Sequence, residues 1–212
     1  TDHTKDLANN KHGNPAIVYL IPLKDRIEIL VTSKQGMQRI KSMVGSARRP
    51  LVMVHAGASA ASRRYPPEGF ARAVDLLVEQ TGCEALFTGD AGEEALVAGI
   101  RSAMAQPSRS LVGRLDLGEL GALVGEADLV LTNNTGPAHI AAALGTPVVD
   151  LYALTNPQHT PWQVRSRVLF HDVPCRNCYK SVCPEGHHDC LRRVGPARVA
   201  EAARDLPGVP AG

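Results

Sequence analysis

Short apolar runs alternate with longer stretches of helical periodicity from residue 51 onward. Short apolar runs bounded by polar residues are typical of buried strands, whereas apolar residues three and four positions apart indicate helices. Strands are predicted at residues 51–55, 84–88, 110–112, 128–132, 148–152 and 167–170, and helices at 67–81, 92–106, 117–126, 135–144 and 196–205. This alternation with short connections predicts an α/β fold, a doubly wound parallel sheet covered by helices on both faces. Ligands bind such sheets beyond the carboxyl ends of the strands.

The first 45 residues follow a different pattern. Residues 1–14 are polar, which favours disorder. Two β-rich runs on either side of Lys24 and Asp25 predict a short N-terminal β-hairpin, followed at residues 33–44 by a third strand or a short helix. Five of the six lysines precede residue 46, after which nearly all basic residues are arginine. We therefore predict an appendage of separate sequence character at residues 1–45 and a main domain at 46–212.

Composition and charge exclude several classes of function. The chain has 212 residues and a formal net charge of +2, so bulk charge indicates no nucleic-acid or membrane surface. No apolar run approaches the roughly 20 residues of a membrane span. The first residues do not resemble a signal peptide. The expectation is a cytoplasmic protein without a membrane span.

The most informative stretch is Asn-Asn-Thr-Gly-Pro, which follows the predicted strand 128–132. Thr135 can cap the next helix, Gly136 allows a ligand close to the backbone, and His139 lies one turn further on. A helix N-terminus combines unpaired N–H groups with the positive end of the helix dipole, which favours phosphate. The alternative is an ordinary connection between a strand and a helix.

Two further polar segments follow predicted strands. After residue 55, small residues including Ser59 permit close backbone approach, and Arg63 and Arg64 supply forked cations that suit phosphate oxygens. They could instead form a solvated surface pair. After residue 88, Glu93 or Glu94 could accept hydrogen bonds from a ribose diol, or could simply favour the first turn of a helix.

Four closely spaced cysteines, Cys175, Cys178, Cys183 and Cys190, lie near the C-terminus. This spacing could build a tetrahedral structural zinc site with no open position for catalysis. The four thiols could also form two disulfides, although a cytoplasmic chain argues against that. Cys83, in a strand-like setting, is expected in the core.

Four segments in the same order resemble glycosyltransferase family 9, the ADP-heptose:lipopolysaccharide heptosyltransferases; they are residues 55–67, 87–94, 132–149 and 174–191. The resemblance covers roughly residues 50–206. It corresponds to the C-terminal, donor-binding half of a GT-B glycosyltransferase and makes residues 46–212 a nucleotide-sugar-binding, Rossmann-like domain. It implies sugar transfer with inversion from a nucleotide-diphosphate sugar, in lipopolysaccharide or other cell-surface glycan synthesis, without a required cofactor.

The resemblance also implies roles for individual residues. The expected donor-binding set is Ser59, Arg63, Arg64, Glu93, Asn134, Thr135, Gly136 and His139. Family members commonly carry aspartate at the position of Asn134, directed at the donor sugar. Asparagine keeps the shape and one acceptor, loses the charge and adds a donor, so heptose should not be assumed. Trp162, in a loop near the nucleotide, either covers the base or anchors the loop.

The general base of the family is an aspartate of the N-terminal domain, and residues 1–45 contain nothing like it. No catalytic residue is therefore evident, and we expect another chain or domain to supply the acceptor site. The alternative function is a non-catalytic nucleotide-sugar-binding or interaction module that lacks its acceptor domain. A third is a zinc-braced structural domain with a vestigial crevice.

Overall fold

A computed structural model describes residues 16–22, 27–45, 49–156 and 158–209. Its strands are β1 Ala16–Pro22, β2 Ile27–Ser33, β3 Leu51–His55, β4 Glu84–Thr88, β5 Ser108–Ser110, β6 Leu129–Asn133, β7 Val148–Leu151 and β8 Ser166–Leu169. Six of them form a parallel sheet in the order β5-β4-β3-β6-β7-β8. The strand order reverses between β3 and β6, and the carboxyl ends of these two strands therefore flank the switch-point crevice.

Helices cover both faces of this sheet. They are α1 Lys34–Val44, α2 Pro67–Thr81, α3 Glu94–Ala103, α4 Leu117–Glu126, α5 Gly136–Leu144, α6 Asp189–Arg192 and α7 Pro196–Arg204. Val52 and Val54 of β3 pack into one apolar layer with α2, α3 and α7. Leu51 and Met53 pack into the other layer with α1, α4 and α5. This confirms the doubly wound α/β fold. No helix in the described ranges is long and apolar enough to cross a membrane.

The predicted elements match closely except around β5. The bounds of β3, β4, α2 and α4 coincide with the prediction. β5 ends at Ser110, so the strand predicted at residues 110–112 is wrong by two positions. Its apolar residues, Leu111 and Val112, are buried beyond the end of the strand, where the Leu111 N–H donates to Phe87 O at 2.8 Å. They pack in the connection because the strand is short.

The N-terminal part adds a separate two-stranded sheet. β1 and β2 pair antiparallel, from Ala16 opposite Ser33 to Pro22 opposite Ile27, and contact α5 and α4 respectively. Residues 34–44 form a helix and not a third strand, with Ile40 buried among α4 side chains and Lys41 paired to Glu126 at 3.4 Å. The predicted tail at 1–14 and the residues at 23–26 lie outside the described ranges. The domain boundary near residue 46 stays a prediction.

Candidate functional site

Asn133, the last residue of β6, holds the loop that follows β3. Its side chain is fully buried; Nδ2 donates to Ala56 O at 2.7 Å, and Oδ1 accepts from Tyr65 N at 3.0 Å. The Tyr65 hydroxyl in turn donates to Val194 O at 2.7 Å. These bonds fix both ends of the segment that carries Arg63. Asn133 was not among the predicted site residues. Its place in a polar pair at a strand end is the sequence feature that indicates such a role.

The two arginines of this loop have different environments. Arg64 is exposed, and its Nε donates to Ala58 O at 2.8 Å. Arg63 is half-buried, and its side chain forms no hydrogen bond or ion pair with a described residue. Burial raises the pKa of the Tyr152 hydroxyl, beyond the end of β7, and the positive charge of Arg63 acts against that rise. The charge of Arg63 thus acts at the end of β7, whereas Arg64 bonds the backbone of its own loop.

Glu93, in the turn that follows β4, reaches Gly57 in the loop that follows β3. Its Oε2 accepts from Asp90 N at 3.0 Å and lies 3.9 Å from His55 Nε2. A Cβ at Gly57 would stand 1.6 Å from Glu93 Oε1, so any side chain there would displace the carboxylate from this position. Burial lowers the pKa of His55 to about 4, which keeps the ring neutral at pH 7, and burial raises the pKa of Glu93. Glu93 thus closes a helix-capping box and also borders the crevice.

The remaining members of the predicted set at β3 and β4 are at the surface. Ser59 is exposed in the loop after β3, and Glu94 is exposed at the start of α3. Neither shows a contact that decides between a donor-binding and a solvated role.

The start of α5 offers fewer free N–H groups than the sequence predicted. Thr135 occupies the predicted N-cap position, but its side chain forms no capping bond; its hydroxyl donates back to Asn133 O at 3.4 Å. The Ala138 N–H is bonded to Thr135 O at 3.1 Å, and Pro137 has no N–H. The Gly136 N–H makes no hydrogen bond with a described residue, and a Cβ there would meet nothing within 4 Å. His139 is half-buried one turn further on.

Asn134 is buried and faces the neighbouring strand. Its Nδ2 donates to His159 O at 2.8 Å and to Asp150 Oδ2, in β7, at 3.4 Å. Burial raises the pKa of Asp150 to about 7, and its Oδ1 makes no hydrogen bond with a described residue. Asp150 was not among the predicted site residues. It stands out in the sequence as a single charged residue within an apolar strand.

The cysteine loop contains free thiols, so the disulfide alternative is not realised. Its four cysteines, Cys175, Cys178, Cys183 and Cys190, line one cavity of about 20 Å³ together with His187 and His188. Burial, reinforced by the neighbouring thiols, raises the pKa of Cys190. Across the described ranges, no three Cys, His, Asp or Glu side chains are arranged to hold a metal ion. Structural zinc stays a prediction, while Cys83 is buried in the core as expected.

The cysteine loop also braces the two sides of the crevice. The Ser62 hydroxyl donates to Lys180 O at 2.7 Å, beside Arg63. On the other side, Tyr179 N donates to Thr155 O at 2.9 Å, in the loop after β7. Trp162 is 68% exposed, so its side chain does not anchor that loop by burial.

Comparison with known proteins shows the family of this chain. The sequence model of Glycosyltransferase family 9 (heptosyltransferase) matches residues 21–188, a range that starts before the composition break near residue 46. Lipooligosaccharide heptosyltransferase 2 of Haemophilus ducreyi is 28% identical over 95% of this chain and 66% of its own length.

Two solved structures share the fold. The glycosyl transferase family 9 protein of Veillonella parvula DSM 2008 has a TM-score of 0.73 and 26% identity, over 85% of this chain and 53% of its own. The E. coli ADP-heptose lps heptosyltransferase II has a TM-score of 0.67 and 26% identity, over 87% and 54%. This chain spans about half to two thirds of the length of these three proteins. The chain belongs to glycosyltransferase family 9.

Proposed function

We propose that this chain binds the diphosphate of a nucleotide-sugar donor and acts in sugar transfer for lipopolysaccharide or another cell-surface glycan. One observation carries the proposal. In the loop after β3, at the switch point of the sheet, the half-buried Arg63 side chain forms no hydrogen bond or ion pair with a described residue, and its positive charge acts on the Tyr152 hydroxyl beyond the end of β7. A partly buried cation without a protein partner attracts an anion such as diphosphate, which in this proposal also accepts from the open Gly136 N–H at the start of α5.

The proposed chemistry is electrostatic. When the bond between the anomeric carbon and the diphosphate breaks, negative charge grows on the leaving oxygen. Arg63 and the Gly136 N–H would stabilise that charge from fixed positions, which is preorganised catalysis. The acceptor hydroxyl attacks from the opposite face, and the configuration at the anomeric carbon inverts. Deprotonating this hydroxyl requires a general base, which we assign to an acceptor domain or partner chain.

The other members of the set surround this centre. Glu93 would accept hydrogen bonds from the ribose hydroxyls, which its place against Gly57 at the crevice edge supports. Ser59 and Arg64 lie on the same loop as Arg63 and would contact the nucleotide from that loop. Thr135 and His139 would complete the pocket at the start of α5.

ADP-heptose is the first donor to test. The E. coli relative is named for it, and the family description names heptosyltransferases. No cofactor enters the proposed reaction. Donor binding without turnover, even when an acceptor domain and acceptor are supplied, would favour the alternative of a non-catalytic nucleotide-sugar module.

Arg63→Ala should weaken ADP binding about tenfold to a hundredfold, the range for loss of a charge-assisted hydrogen bond. Isothermal titration calorimetry with ADP measures this effect. Arg72→Ala, at an exposed position of α2, is the matched control and should leave the Kd unchanged. Equal Kd values for Arg63→Ala and the wild type would remove Arg63 from the site.

Structural zinc at the cysteine loop is the second proposed ligand, supported by the four thiols around one small cavity. Binding would require the side chains to rotate toward a common centre. Elemental analysis of protein purified without chelators should find one zinc per chain, and the Cys178→Ser variant should lose it. Metal-free protein with an unchanged melting temperature after zinc addition would exclude the site.

A further inference from the structure

We infer that Asp150 makes Asn134 an acceptor-only side chain at the sugar end of the crevice, so that Asn134 serves there as an aspartate would. The inference rests on the proposed function and concerns a positioning residue, since Asp150 itself is buried behind Asn134. It assigns to this buried carboxylate a part in recognising the sugar of the donor.

The side-chain amide of Asn134 donates two hydrogen bonds. An asparagine amide nitrogen has two hydrogens. Here one points to His159 O at 2.8 Å and the other to Asp150 Oδ2 at 3.4 Å. The His159 carbonyl can only accept, so the nitrogen of the amide must face it, and Asp150 Oδ2 lies within reach of the second N–H. Oδ1 of Asn134 is then turned away from both and is left to accept from another group.

The His159 carbonyl is itself fixed. His159 N donates to the Tyr152 hydroxyl at 3.3 Å, and the His159 ring contacts Asn156 Nδ2 at 3.0 Å. The loop after β7 therefore presents its carbonyl to Asn134 in one position. Asp150 supplies the second acceptor from the strand itself, opposite Thr132 in the β6–β7 register. With both acceptors in place, a flipped amide would lose two hydrogen bonds.

Asp150 has no evident packing role that an apolar residue could not fill. Its side chain is fully buried, and its Oδ1 has no hydrogen-bond partner among described residues. A buried carboxylate without a cation is unfavourable for folding. What the carboxyl contributes is an acceptor for the second N–H of the neighbouring amide.

These hydrogen bonds determine how Asn134, in place of an aspartate, can bind the hydroxyls of the donor sugar. Taken alone, an asparagine at an aspartate position adds a donor that would select a different pattern of sugar hydroxyls. With its donors consumed internally, Asn134 still offers an acceptor to a hydroxyl hydrogen. The hydroxyl-accepting function is thereby retained without the charge of an aspartate at residue 134.

The test compares the Kd of ADP with that of ADP-heptose by calorimetry on the full chain. Asp150→Leu removes the acceptor while keeping a branched side chain, which leaves the second N–H of Asn134 free to donate. We expect the Kd for ADP-heptose to rise roughly fivefold to tenfold, as for one lost hydrogen bond, with the Kd for ADP unchanged. Asp150→Asn, which keeps an oxygen that can accept from Asn134, should retain the wild-type affinity for ADP-heptose.

The outcomes separate this inference from the proposed function. A wild-type chain that binds neither ligand refutes the proposed function. A wild-type chain that binds ADP, with an Asp150→Leu variant whose two Kd values keep their wild-type ratio, overturns the inference alone. If Asp150→Leu does not fold, Asp150→Val replaces it, since valine also lacks an acceptor. That variant should bind ADP-heptose roughly fivefold to tenfold more weakly relative to ADP, and a wild-type ratio of the two Kd values would contradict the role of Asp150.

Discussion

Asp150→Asn should raise the free energy of unfolding, and the gain should grow with pH between about 4 and 7. Burial raises the pKa of Asp150 from 3.8 to about 7. Between these values the carboxyl is ionised in the unfolded chain but protonated in the folded one, so the folded state loses stability as pH rises through this window. Above pH 7 the penalty is complete and amounts to at most about 4 kcal/mol. The amide carries no charge and avoids it.

Urea denaturation of both proteins from pH 4 to pH 8 measures this difference. His55 acts in the opposite direction, because burial lowers its pKa to about 4 and its contribution weakens as pH falls below 6.5. Subtracting the wild-type curve cancels the His55 term. The control Asp172→Asn, at an exposed position that pairs with Arg176, should gain no stability as pH rises. A difference for Asp150→Asn that does not grow with pH either would show that its carboxyl is not destabilising.

Asn133→Leu should lower the free energy of unfolding by about 3 kcal/mol and abolish measurable ADP binding. The substitution leaves Ala56 O and the Tyr65 N–H buried without the partners that Asn133 provides. Each buried, unsatisfied backbone group costs about 1–3 kcal/mol. The segment that carries Arg63 is released at both ends, so the guanidinium no longer holds its position.

Denaturation midpoints and ADP calorimetry on the same sample measure both effects. Gln80→Ala removes an amide from an exposed position of α2 and should cost about 1 kcal/mol or less. If Asn133→Leu loses no more stability than Gln80→Ala, Asn133 does not organise the loop. If it is destabilised but still binds ADP with unchanged Kd, the position of Arg63 does not depend on Asn133.

The fold could be predicted because the apolar periodicity is strong. β3 and β4 are short apolar runs, and α2 and α4 have clear amphipathic patterns, so their ends coincide with those in the structure. The place of the site followed from the same pattern, since polar residues at the ends of parallel strands share one edge of the sheet.

The hydrogen bonds within the site could not be predicted from the sequence. Asn133 and Asn134 are adjacent and chemically identical, yet one bonds the loop after β3 and the other bonds β7 and its loop. Which one takes which role depends on the direction each side chain leaves the strand end. The contact of Asn134 with Asp150 depends on the β6–β7 register, which aligns residues far apart in the chain. Likewise, Thr135 had the right residue type for a cap, but its hydroxyl bonds the strand end instead.

Binding of the diphosphate between Arg63 and the start of α5 is the central claim. Calorimetric titration of the full chain with ADP and, separately, with AMP tests it most directly, because the two nucleotides differ by one phosphate. We predict that ADP binds at least about tenfold more tightly than AMP, a difference of roughly 1.4 kcal/mol. A folded chain that binds neither nucleotide, or binds both with the same Kd, would contradict the account.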